Sequence, residues 1–189
     1  YNYIVKIWVI GGENMEELKN LNSLKDIINV RYDIFKDKVA FIEKDMDHKE
    51  FEYIKYSQIK EKINGLGTYM LNKLNLKGEK IAVIGENSYR WYMTYMAVVC
   101  GVGIIVPLDK GLPQNEILNL LKKSGAKAIV YSSRKSDEIN ALKKDLPKDM
   151  IYIDMNKKES DEESLAFDRI IEKGIKMVDD GIIHILMFK

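Results

Sequence analysis

Gly85-Glu-Asn-Ser88 is the densest group of residues suited to holding a ligand in this 189-residue chain. The apolar run Ile81-Ala-Val-Ile84 precedes it and a mostly apolar stretch follows, so it reads as a strand-to-helix turn. Such turns in α/β sheets present backbone N–H groups and short polar side chains to small molecules. Asn87 and Ser88 can meet a ligand there, or one of them can cap the next helix by accepting from a free backbone N–H. The turn lacks Gly-x-Gly-x-x-Gly and Gly-Lys-Ser, the spacings that bring backbone against phosphates, and on its own a structural turn is the plainer reading. Directly beyond it Tyr89, Trp91, Tyr92 and Tyr95 recur at helical spacing. They fit either core packing or one wall of an apolar substrate site. Asn87, Ser88 and Trp91 are therefore the candidates to lie beside a substrate.

Other reactive residue types carry less. Asp179 and Asp180 stand beside Gly181 in a polar stretch and read as a solvated turn. His48 sits in a turn, His184 is distant in sequence, and no cysteine or carboxylate spacing joins them into a metal site. Cys100 is the single cysteine, set among Ala97, Val98 and Val99. It is expected to be a buried thiol in a reducing compartment, the cytoplasm, with no disulfide to form. A Gly-x-Ser-x-Gly elbow and a Ser/His/Asp set are both missing. No residue is assigned a catalytic, cofactor-binding or metal-binding role.

Lys+Arg 30 against Asp+Glu 29 leave a formal charge of +1, which gives no electrostatic reason to expect nucleic acid. Lys122, Lys123 and Lys127 cluster where a helix ends, complementing its dipole. With 46% hydrophobic residues and 3 prolines the chain is expected to pack as a globular unit. Tyr3–Ile10 is too short to span a bilayer and lacks a signal peptide's basic start. Residues 1–22 read as an N-terminal arm, an edge strand or loose segment.

The elements that position the turn follow from periodicity. A helix is expected from Ser23 to near Asp37, then a hairpin of Val39–Glu43 and Phe51–Ile54 around Asp45–Lys49. A helix over Tyr56–Leu74 carries Ile59, Ile63, Leu66, Met70 and Leu74 on one stripe. Gly65 and Gly67 within it each cost about 1 kcal/mol relative to Ala, a cost usually offset by close backbone packing. Lys80–Gly85 reads as a buried strand apolar on both faces, as a parallel sheet requires, and Gly103–Pro107, Ala126–Tyr131 and Met150–Asp154 read as further strands. Between them lie helices at Tyr89–Cys100, at Pro113 to Gly125 and at Ser136–Asp145. Asn156–Ser164 reads as a charged excursion, followed by a helix stopped at Gly174 and a last apolar run, Ile182–Phe188. Alternation of this kind predicts an α/β fold, a mostly parallel sheet with helices on both faces.

Several of these segments match ordered motifs. Lys55-Tyr56-Ser57-Gln58-Ile59 resembles a Thr-Tyr-x-Glu-Leu element that opens a helix, with Lys55 and Gln58 departing from it. Gln58 can still close half of a capping box. Cys100-Gly-Val-Gly-Ile-Ile-Val-Pro-Leu-Asp109 resembles Gly-[Ala/Val]-x-x-x-Pro-Leu-[Asp/Asn], and Leu112–Ile117 and Leu121–Val130 continue in register. Together, over about residues 23–155, the chain resembles the acyl-adenylate-forming (AMP-binding) synthetases. The Gly-Glu-Asn-x-Tyr-x-Trp pattern at 85–91 places the resemblance near the long-chain fatty acyl-CoA ligases.

The resemblance implies an enzyme of fatty acid metabolism that activates a carboxylic acid with Mg-ATP to an acyl-adenylate and passes the acyl group to coenzyme A. It also implies that residues 23–189 form the first α/β subdomain, ending before the phosphate loop Thr-Ser-Gly-Thr-Thr-Gly-x-Pro-Lys. Ile185–Phe188 resembles the strand that leads to that loop. No ATP-contacting residue carries over, so the 189-residue chain itself is expected to be inactive and to bind none of these cofactors. An exposed face where a further half would pack favours self-association. The alternative is a freestanding, non-catalytic α/β binding or interaction module.

Overall fold

The computed structural model describes residues 22–44 and 51–182. The arm before residue 22, the hairpin tip with His48, and the final run with His184 lie outside the described residues. The described residues form two compact units, divided between Lys62 and Ile63.

In the first unit, α1 (Leu24–Ile34) begins at Ser23, whose hydroxyl accepts from Asp26 N at 3.1 Å, and Asp26 Oδ2 accepts in return from Asn22 N at 3.0 Å. The helix stops at Ile34, short of Asp37, because residues 35–37 turn and Lys38 N bonds back to Phe35 O at 2.8 Å. β1 (Val39–Lys44) and β2 (Phe51–Lys55) pair antiparallel with a register shift between Val39 and Phe41. The pairing puts Ile42 opposite Tyr53 and Lys44 opposite Phe51 on an outward face, while Ile54 turns inward at 2% exposure. β2 runs straight into α2 (Tyr56–Asn72), and Lys55 N donates to Gln58 Oε1 at 2.8 Å. That bond is the surviving half of the capping box expected from the Lys55 and Gln58 departures.

The second unit is built on a five-stranded sheet, order β4-β3-β5-β6-β7, with every neighbouring pair parallel. Its strands are β3 (Lys80–Ile84), β4 (Ile104–Leu108), β5 (Ala128–Tyr131), β6 (Ile151–Asp154) and β7 (Leu165–Ala166). Its further helices are α3 (Tyr89–Ala97), α4 (Gln114–Ser124), α5 (Ser136–Leu142) and α6 (Phe167–Asp179). Ile81 through Ile84 and Ala128 through Val130 have no exposed surface, as continuous apolar strands covered on both sides must. Right-handed crossovers put α4 and α5, whose strands step one way along the sheet, on the face opposite α3. Ile117, Leu121, Ile139 and Leu142 from α4 and α5 pack there with Ala82, Ile84, Ile129 and Tyr131. Each large side chain buried this way is worth about 1.5–3 kcal/mol relative to exposure. β7 was not foreseen, because two residues carry no periodicity.

Local chemistry sets the boundaries. Gly125 ends α4 in the left-handed conformation, φ 66°, as expected of a C-terminal glycine. After α3 the backbone takes one wide turn, Gly103 N reaching back five residues to Val98 O at 3.0 Å, and enters β4 without a loop. A side chain at Gly103 has no room: a Cβ there would lie 2.2 Å from Glu79 O. Cys100 is inside this turn, buried and outside any disulfide.

Gly174 requires a correction. It does not stop its helix, since α6 continues to Asp179. It lies where α6 crosses α2, and a Cβ on Gly174 would be 1.8 Å from Gly65 O. Two glycines let the backbones touch, which identifies the packing that offsets the helical cost of Gly65. Asp179, by contrast, ends the helix at an exposed turn with Asp180 and Gly181, φ 87°.

The excursion after β6 is tied down by carboxylates. Asp154, 6% exposed, accepts from Ser133 Oγ at 2.6 Å, Ser136 Oγ at 3.0 Å, Asn156 N at 2.9 Å and Lys157 N at 3.2 Å. Four donors satisfy a charge that would otherwise be costly to bury. Asp161 pairs with Lys157 and accepts from Glu163 N and Ser164 N, each at 3.0 Å. The Lys157 ammonium first, and the Ser164 amide next, hold its carboxyl at about 2.

Gly174→Ala is expected to lower stability by about 3 kcal/mol, read from urea unfolding, since the crossing backbones must part. An unchanged midpoint contradicts the crossing. Because the folded Asp161 pKa lies below its ordinary value, its contribution is complete above about pH 4 and fades as pH falls through about 2. The amide NMR signals of Glu163 and Ser164 are expected to titrate in that window and to lose the transition in Asp161→Asn.

Candidate functional site

The strand order creates the site. The chain leaves β3 to form β4 on one side, then returns to form β5 on the other. The connections after β3 and β5 therefore depart toward opposite faces at the carboxyl ends of the strands, the switch point at which open α/β sheets form a crevice and bind ligands. Gly85-Glu-Asn-Ser88 is the β3 side of that crevice and Ser132-Ser-Arg134 the β5 side. Ser132 N bonds to Ile84 O at 3.1 Å, extending the pairing past the strand ends. The two loops touch so closely that a Cβ on Gly85 would lie 2.9 Å from Ser132 Cβ. At the end of β4, Asp109 Oδ1 accepts from Gly111 N at 2.6 Å, a turn that carries Lys110.

The three candidates separate here. Ser88 is the helix cap: its Oγ accepts from Trp91 N at 3.2 Å. Asn87 is exposed at the crevice. Trp91 is half-buried and stacked on Tyr95, ring centroids 5.6 Å apart and planes 15° from parallel. The aromatic run thus divides, Tyr89 entering the core at 2% exposure while Trp91, Tyr92 and Tyr95 stay part-exposed. Arg90 anchors this end of α3 to the start of α6 through Asp168 Oδ2 at 2.9 Å and lies 4.6 Å from the Tyr89 ring centroid. The crevice wall therefore rests on two helices.

The electrostatics centre on Glu86. Partial burial pushes its carboxyl up, but the Ser132 hydroxyl, its own backbone amide, and the charges of Arg134 and Lys110 outweigh that, leaving it below the usual carboxylate range. It is ionised at neutral pH. Ser132 itself is 6% exposed, and its hydroxyl favours the Glu86 anion. The crevice thus combines a fixed anion, two cations and the positive end of α3. Lys110, Arg134 and the helix N-terminus suit a phosphate-bearing group. Nothing in this set makes a nucleophile and base pair, and among the described residues no group of three or more His, Cys, Asp or Glu could hold a metal ion.

Glu86, Lys110, Ser132 and Arg134 carried no role in the reading of motifs. Each lies within three residues of the end of a strand, and that position was the available signal. It points to one site only once the order β4-β3-β5 is known.

The profile of the AMP-binding enzyme family matches residues 31–178. The mitochondrial medium-chain acyl-CoA ligase ACSF2 of Homo sapiens is 29% identical over 76 residues, 40% of this chain and 12% of the relative. The corresponding protein of Bos taurus is 29% identical over 84 residues, 44% of this chain and 14% of the relative. The chain thus spans only a small part of the relatives it matches. Among solved structures, the A-PCP didomain of a carboxylic acid reductase from Segniliparus rugosus, in complex with AMP, superposes with a TM-score of 0.70 at 17% identity, covering 85% of this chain and 28% of that one. The anthranilate CoA ligase AuaEII, in complex with anthranoyl-AMP, gives 0.65 at 17% identity, covering 78% and 26%. These two likenesses are of fold, and they agree with the parallel sheet and its flanking helices. By the family match over most of its length, the chain belongs to the AMP-binding enzymes.

Proposed function

We propose that this chain supplies the first α/β subdomain of an acyl-CoA ligase, which activates a fatty acid with Mg-ATP to an acyl-adenylate and transfers the acyl group to coenzyme A. The observation that carries the reading is the family match over residues 31–178, which includes all five strands of the parallel sheet. A long-chain acid is supported by the pattern at 85–91, while the named relatives are medium-chain ligases, so both lengths enter the test. In this reading the 189-residue chain does not turn over, because it contains no Thr-Ser-Gly-Thr-Thr-Gly loop. Cys100, buried and the single cysteine of the chain, supports a reducing compartment, in our reading the cytoplasm, whereas the named relatives are mitochondrial. No helix among the described residues is long and apolar enough to cross a membrane.

Within this reading, Asn87 and Trp91 stand beside the crevice and Ser88 shapes it by capping α3. Lys110 and Arg134 receive the phosphate-bearing end of ATP or coenzyme A. The competing reading is a non-catalytic binding module, and the same crevice favours it, since its residues are suited to holding a ligand and not to reacting with it. Coding sequence that continues into Thr-Ser-Gly-Thr-Thr-Gly supports the ligase; a natural stop after Lys189 supports the module.

The purified chain is expected to give no ATP–pyrophosphate exchange with medium- or long-chain fatty acids, and clear exchange overturns the claim of inactivity. Calorimetric titration of the purified 189-residue chain with ATP and with coenzyme A is expected to show no binding, and in the complete ligase Lys110→Ala and Arg134→Ala are each expected to weaken binding of one of the two about 5-fold, as loss of about 1 kcal/mol of charge contact requires. Equal affinity in both variants removes the crevice from the reading. Ile42, Phe51 and Tyr53 are 39%, 58% and 60% exposed on the hairpin's outer face. Sedimentation is expected to show concentration-dependent self-association, relieved in a Phe51→Ser, Tyr53→Ser double variant. A monodisperse monomer at all concentrations favours the module.

A further inference from the structure

We draw no further inference here: the strongest candidate, the crevice at the carboxyl ends of β3, β4 and β5 with Glu86, Lys110, Ser132 and Arg134 around it, belongs to the site already described.

Discussion

Parallel pairing of β3 with β4 on one side and β5 on the other is the constraint on which the larger unit depends. Its residues Ile81 to Ile84 are wholly enclosed, so β3 cannot serve as an edge. Central placement forces the two crossovers apart, and with right-handed connections that separation assigns each helix its face. The crevice is what remains at the strand ends once those paths diverge. Pairing continues past the strands through Ser132 N and Ile84 O, which brings the two loops together on a backbone bond. The site is thus a result of topology before it is a result of side-chain chemistry.

The side chains around the crevice show a balance of charge rather than machinery. Glu86 is kept ionised by Arg134, Lys110 and a buried serine hydroxyl. An arrangement of this kind can meet an anion through its cations while the carboxylate limits how strongly it holds one. Arg90 and Asp168 act at a distance from it, joining α3 to α6 and so fixing the angle at which Trp91 and Tyr95 stand beside the turn. Asp154 does similar work for the β5 loop, because its four donors include both Ser133 and Ser136. Each wall of the crevice is braced from behind by a carboxylate.

Much of the fold was legible because its strands are short, apolar runs set between periodic helices, each marked by glycine or a capping residue. Gly125 and Ser88 acted as their chemistry indicates, and so did Gln58. Gly174 did not. A glycine at a helix end and a glycine at a helix crossing look alike in one dimension; only the partner Gly65 distinguishes them. β7 was missed since a two-residue strand owes its existence to pairing with Ile153 and Asp154, not to any pattern of its own. The turn at 85–88 was found from its strand and helix, yet its companions at Lys110 and Ser132–Arg134 were not. They lie more than twenty residues away in sequence and meet it only through strand order.

The wide turn at Val98–Val102 leaves no slack between α3 and β4. Ser88 at the start of α3 and Lys110 just past the end of β4 therefore lie at the same end of the sheet, joined by a helix and a strand with no loop between them. A single residue inserted between Cys100 and Ile104 would have no loop to absorb it. It would slide β4 by one position and exchange its two faces, turning Val106 and Leu108 away from α4 and α5. The spacing of this segment is for that reason a ruler: length here, more than residue type, sets the distance from the helix start to the loop that carries Lys110.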